Sequence, residues 1–106
     1  MNDEYRDMLL SYVSELESYG NIVHLPHRDT DQNKKGLEIC IQNKNAIIES
    51  DEVHVFYSSL SQGTHFDLGV SFALNKRIKI ILNEEYSEGK SFAKMIKEWE
   101  NENMSY

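Results

Sequence analysis

The feature that most constrains this chain is a pair of β-branched apolar runs, residues 53–56 and 78–82, separated by a Ser/Gly loop and a helix pattern. Strand, loop, helix and strand in that order put polar residues at the carboxyl end of the first strand. In open α/β sheets that is where ligands bind. The near-continuous apolar character of residues 52–57 predicts a strand in a sheet covered on both faces.

The rest of the chain extends the alternation. Tyr5, Met8, Leu9, Tyr12, Val13, Leu16 and Tyr19 recur at helical spacing, so residues 3–19 are expected to form a helix. Asn2 or Asp3 caps it, and Gly20 suits the position just past its end. Residues 21–25 read as a short strand stopped by Pro26, and residues 27–35 as a polar loop. Leu37, Cys40, Ile41, Ile47 and Ile48 share a face of a second helix that runs to about Glu49. A third helix over residues 64–75 turns Phe66, Val70, Ala73 and Leu74 inward and closes at Asn75 or Lys76. Beyond a polar loop, Ser91 caps a last helix striped by Phe92, Met95, Ile96 and Trp99, with a frayed tail from Asn101. The order α–β–α–β–α–β–α implies parallel strands with right-handed crossovers. No repeat, linker or low-complexity tract divides the 106 residues, so one domain is expected.

Charge and composition narrow the function classes. A net charge of −7 with scattered basic residues argues against a nucleic-acid polymer as partner, which requires clustered Lys and Arg. No apolar run approaches the roughly 20 residues of a membrane span, and the N-terminus lacks signal-peptide character. The single cysteine, Cys40, excludes an internal disulfide and reads as a small buried hydrophobe between Ile39 and Ile41. A reducing cytoplasm is the expected location.

The loop and the helix start that follows it carry candidate chemistry. In residues 58–63, Gly63 lets a ligand approach the backbone, and N–H groups at the helix start favour an anion. Ser61 adds a hydroxyl; the alternative is an ordinary turn in which Ser61 or Thr64 only caps the helix. Asp67 is expected in that helix's first turn, where the macrodipole stabilises its ionised form. It is either a nucleophile toward an anomeric carbon or a plain dipole-compensating carboxylate. His65 lies beside the loop, within reach of a ligand, while His54 is a half-buried strand residue. His24 and His27 with Asp29 invite a metal, but Pro26 breaks the helical geometry between the histidines and no zinc-type spacing occurs. No metal site and no cofactor are expected.

Ser61-Gln-Gly63-Thr64-His-Phe-Asp67-Leu-Gly69, followed by Ala73-Leu74-Asn-Lys and Ile78-Lys-Ile80, resembles the signature of the nucleoside 2-deoxyribosyltransferase family, which includes the 2′-deoxynucleoside 5′-phosphate N-hydrolases. Ser50-Asp51-Glu-Val53 is similar to the family's approach to its strand, and the likeness covers roughly residues 39–96. The resemblance implies a flavodoxin-like open parallel sheet flanked by helices and chemistry on the N-glycosidic bond of a nucleoside or its 5′-monophosphate. The family's nucleophile is a glutamate that forms a covalent deoxyribosyl intermediate; its matching position here is Asp67, whose carboxylate is shorter by one methylene, about 1.5 Å. A second family acid matches Asn43, an amide that orients a ligand but is neither acid nor base at neutral pH.

The same resemblance assigns Ser61, Gly63, Thr64 and His65 to the ligand, Ser61 favouring a phosphate where the transferases carry an acid, and places Ser91 near a phosphate-contacting serine, offset by about two residues. Family members begin with a central strand, and none is expected ahead of Asp3, through truncation, loss or supply by a partner; the remaining strands pair directly or a homodimer completes the sheet, and a homodimer or higher oligomer is expected. The expected function is therefore a deoxyribosyltransferase or N-hydrolase acting through Asp67. The alternatives are a catalytically weak nucleotide-binding module and a plain interaction protein that dimerises through the tyrosines of the first helix.

Overall fold

A computed structural model describes residues 3–57, 61–83 and 92–104. The expected caps Asn2 and Ser91, loop residues 58–60, most of the polar loop at 84–90 and the last two residues lie outside the described residues. The elements are α1 (Asp3–Ser18), α2 (Pro26–Asp29), α3 (Gly36–Glu49), β1 (Glu52–Tyr57), α4 (Gln62–Ala73), β2 (Arg77–Asn83) and α5 (Phe92–Met104). The chain is a small α/β protein in which, among the described residues, two strands form a parallel open sheet packed against helices. Contacts divide it into two compact units, residues 1–42 and 43–106.

In the first unit, α1 turns Val13 inward, with Leu9, Tyr12 and Leu16 half-buried beside it. Met8 and Tyr19, expected on the same stripe, are exposed. Tyr19 has left the helix by then: Gly20 N–H donates to the Glu17 carbonyl and Asn21 N–H to the Leu16 carbonyl, with Gly20 at φ 91°. Only glycine adopts that conformation without penalty, which is why the helix ends where the sequence marks it.

The expected strand at 21–25 is instead an irregular segment, and the expected loop after it contains the one-turn helix α2. One carboxylate accounts for both corrections. Asp29 accepts the Leu25 N–H at 2.8 Å, so that donor goes to a local side chain and not to a ladder. Pro26 opens the turn because its φ suits a helix start and it has no N–H to leave unpaired. Arg28 holds the turn from outside, bonding both carboxylate oxygens of Glu17, those of Asp29 and the Val23 carbonyl. The guanidinium hydrogen bond keeps the Asp29 carboxyl below its ordinary range, and Asp29 and Glu17 raise the Arg28 pKa in turn.

The second unit is built on the β1–α4–β2 crossover. The strands pair from Glu52 opposite Arg77 to Tyr57 opposite Asn83, with an irregularity after Val55. From His54 to Tyr57 half-buried and buried residues alternate, so one face of β1 is covered more fully than the other. Val55, Tyr57 and Ile78 are buried on one face with Leu68 and Ile96, and Val53, Ile80 and Trp99 pack against them. The other face carries charge. His54 hydrogen-bonds Glu52 at 2.9 Å and Arg77 stands 3.8 Å from it, and the histidine bond holds the Glu52 carboxyl below its usual value.

Helix α4 begins two residues earlier than expected and buries Leu68 and Ser71. Phe66, Ala73 and Leu74, expected inward, are exposed; Val70 is half-buried. Ser71 gained its place because its hydroxyl bonds the Asp67 carbonyl at 2.7 Å, which lets a polar side chain enter the core. The helix ends as the sequence indicates. Asn75 takes φ 55° and the Lys76 N–H returns to the Ser71 carbonyl.

Lys76 also reaches the end of α3, donating its ammonium to the Ile48 and Ser50 carbonyls, both at 2.8 Å. It supplies the cation that the last turn of α3 lacks in its own sequence. On α3 only Ile47 is buried; Leu37, Ile41 and Ile48 are exposed and Cys40 is half-buried, contrary to the expected shared inward face. The tail expected to fray stays helical through Met104. Glu100 anchors it: the carboxylate is buried, accepts the Ile80 N–H and pairs with Lys97 at 3.1 Å.

Candidate functional site

β1 ends at Tyr57 and the first turn of α4 starts at Ser61, so strand end and helix start carry the candidate residues. Ser61 is the N-cap, with an extended backbone at φ −92° and ψ 108°. Its Oγ accepts the Thr64 N–H at 3.2 Å and the Thr64 hydroxyl at 3.0 Å. Both bonds use Ser61 as acceptor, and a hydroxyl in that state retains its own hydrogen for donation. Capping and ligand donation are thus compatible at this residue.

His65 completes the turn. Its Nδ1 lies 2.7 Å from the Ser61 carbonyl oxygen, and its ring meets Tyr57 edge to face with centroids 5.7 Å apart. Tyr57 is 2% exposed and belongs to the core cluster, so the histidine rests on the core of the unit. Sequence reasoning missed Tyr57 as a site residue. The available signal was the alternation Val53, Val55, Tyr57 on one face, which aims the last strand residue at the helix that follows.

Gly63 lies within α4, and a Cβ built on it would meet, among the described residues, only Ser61 Oγ, at 4.0 Å. Gly69, further along the helix and exposed, has equal room. Neither has a positive φ. Packing among the described residues therefore does not require glycine at either position, although each costs a helix roughly 1 kcal/mol relative to alanine.

Asp67 is the sixth residue of α4, not one of its first turn, which holds no acidic residue. The correction follows from the earlier start at Gln62. Since the dipole acts within the first turn, it does not supply the stabilisation expected for the ionised form. The residue is half-buried and three residues beyond Thr64. That spacing brings their Cβ atoms within about 5–6 Å on one face of the helix. Ser61, Thr64, His65 and Asp67 thus lie along a single helix start. Asn43 is half-buried on α3 and belongs to a different element. Ser91 lies outside the described residues.

His24 and His54 serve local structure. His24 Nε2 is 3.1 Å from the Thr30 hydroxyl, and Asp29 is committed to Leu25 and Arg28. Among the described residues no three His, Cys, Asp or Glu side chains group so as to hold a metal ion, and no helix is long and apolar enough to cross a membrane. Comparison with protein-family models, with curated proteins and with solved structures finds no match to this chain.

Proposed function

We propose that this chain is a nucleoside deoxyribosyltransferase-like protein of flavodoxin-like architecture. It binds a nucleoside or nucleoside 5′-monophosphate at the carboxyl end of β1 and acts on the N-glycosidic bond through Asp67. What supports this reading is one juxtaposition. Ser61, Thr64 and His65 converge on the first turn of α4, and Asp67 follows on the same helix, half-buried, in the residue order that resembles the family signature.

In the proposed reaction an Asp67 carboxylate oxygen attacks C1′ while the C1′–N bond breaks. The bonding pair leaves with the base, which takes up a proton. Water or a second base then attacks C1′ and releases the carboxylate. Ser61 donates to the ligand phosphate or sugar, Gly63 leaves room for it, and Asn43 orients the sugar. The proposed setting is a cytoplasmic homodimer.

A second reading, a nucleotide-binding module with little turnover, is favoured by the shortness of Asp67 and by its place beyond the first turn. Misplacing a reacting group by about 1 Å costs roughly 100-fold in rate. The test is a panel of deoxynucleosides and their monophosphates, with release or exchange of free base as readout and calorimetry for binding. Wild type is expected to release base and Asp67→Asn to bind without turnover. Binding without base release by wild type leaves the module; equal activity in the variant removes Asp67 from the chemistry.

A further inference from the structure

The outer edge of β2 carries a contact that packing alone does not explain. Among the described residues β1 is the one strand beside β2, and Ile80 stands opposite Val55 in that pairing. The Ile80 N–H goes instead to Oε2 of Glu100 on α5. Backbone groups along a strand point to one side or the other, so this donor points away from β1, to the open edge of the sheet. An edge donor of this kind is a template for a further strand.

β2 has the sequence to be extended. RIKIILN is rich in β-branched residues and has no proline. It also fits a second copy of itself. In an antiparallel pair of β2 strands centred on Ile80, Arg77 stands opposite Asn83 and Lys79 opposite Ile81, so no like charges meet across the pair. The Glu100 side chain that closes this edge is only 10% exposed. An apolar side chain would fill the same space without taking a carboxylate out of water, but it would leave the Ile80 N–H open.

We propose that Glu100 guards the edge of the sheet: its carboxylate occupies the Ile80 N–H and keeps β2 from pairing with β2 of a second copy of this chain. The inference is independent of the proposed ligand site, and any dimer of the wild-type chain then forms through another surface.

The test compares full-length variants by sedimentation over a range of concentrations, with amide exchange at Ile80 read on the same samples. Glu100→Met keeps much of the side-chain volume and leaves the N–H without a strong acceptor, whereas Glu100→Gln keeps one. With rising concentration Glu100→Met is expected to form a species of double the wild-type mass that dissociates on dilution. Its Ile80 exchange, fast in dilute solution, is expected to slow about tenfold as that species fills. Glu100→Gln is expected to keep the wild-type mass throughout. Thermal unfolding checks that each variant folds, and Glu100→Ala combined with Gly69→Ala is a second opened variant if methionine does not fit. Wild-type mass in an opened variant that folds, or association without slowing at Ile80, overturns the proposal. So does equal association of Glu100→Gln, or failure of both opened variants to fold, which would assign Glu100 to the fold itself. None of these outcomes bears on the base-release assay.

Discussion

The buried carboxylate of Glu100 is the contact whose removal should cost the second unit most per atom, and three substitutions separate its parts. Its Oε2 accepts the Ile80 N–H, and its Oε1 accepts from Lys97 at 3.1 Å. Lys97 is half exposed, 49% against 10% for the glutamate side chain, so solvent screens the ion pair. Lys97→Ala should cost about 0.5 kcal/mol or less. Glu100→Gln keeps an acceptor for Ile80 but turns a charge-assisted bond into a neutral one, a loss of about 1 kcal/mol. Glu100→Ala leaves a strand N–H with no acceptor from this helix and should cost about 2–3 kcal/mol. In a chain of this size each 1 kcal/mol lowers the midpoint by about 4–8 °C. Thermal unfolding at neutral pH should therefore rank the variants Lys97→Ala, Glu100→Gln, Glu100→Ala in increasing damage. Amide exchange at Ile80 should accelerate chiefly in the last. An alanine variant no less stable than Lys97→Ala would show that the ion pair, and not the strand N–H, is what Glu100 serves.

Two further outcomes follow from the geometry. Gly69→Ala should stabilise the chain by roughly 1 kcal/mol in denaturant unfolding, because the position is helical, exposed and open to a Cβ; destabilisation would reveal packing that the described residues do not contain. Asp29 has a folded pKa below its ordinary value of 3.8, chiefly through the Arg28 hydrogen bond, so its contribution to stability is fully present above that value and is lost as pH falls through the lower folded one. Asp29→Asn should remove that part of the acid-side decline in a series of thermal midpoints from pH 6 downward; an unchanged slope would mean the Arg28 bond persists equally in the unfolded chain.

Local signals carried most of the elements. The helix ends at Gly20 and Asn75 were legible because the left-handed conformation favours those two residue types. The strands at 52–57 and 77–83 were legible from β-branched runs. Less was visible where a distant or competing partner decides the outcome. Residues 21–25 have strand composition, yet a carboxylate four positions after Leu25 takes the N–H that a ladder would use. Ser71 carries no apolar signal, and its burial rests on the bond from its hydroxyl to the Asp67 carbonyl; Lys76 read as a helix stop, while its ammonium reaches Ile48 of another helix, 28 residues away. Of the candidate site, the Ser61 cap was readable from residue type, whereas the His65–Tyr57 contact needed the crossover to close.

The shift of Asp67 from first turn to second changes what must hold its charge. A first-turn aspartate would be ionised by the helix itself, ready in the absence of ligand. At the sixth position the helix provides little, and a half-buried carboxylate must draw its stabilisation from neighbours or from what binds. Thr64 sits one turn below on the same face, but its hydroxyl is already donated to Ser61. The Thr64 proton is therefore committed to the cap, and the charge of a second-turn carboxylate is set by contacts other than the helix start, whichever part Asp67 plays in the proposed reaction.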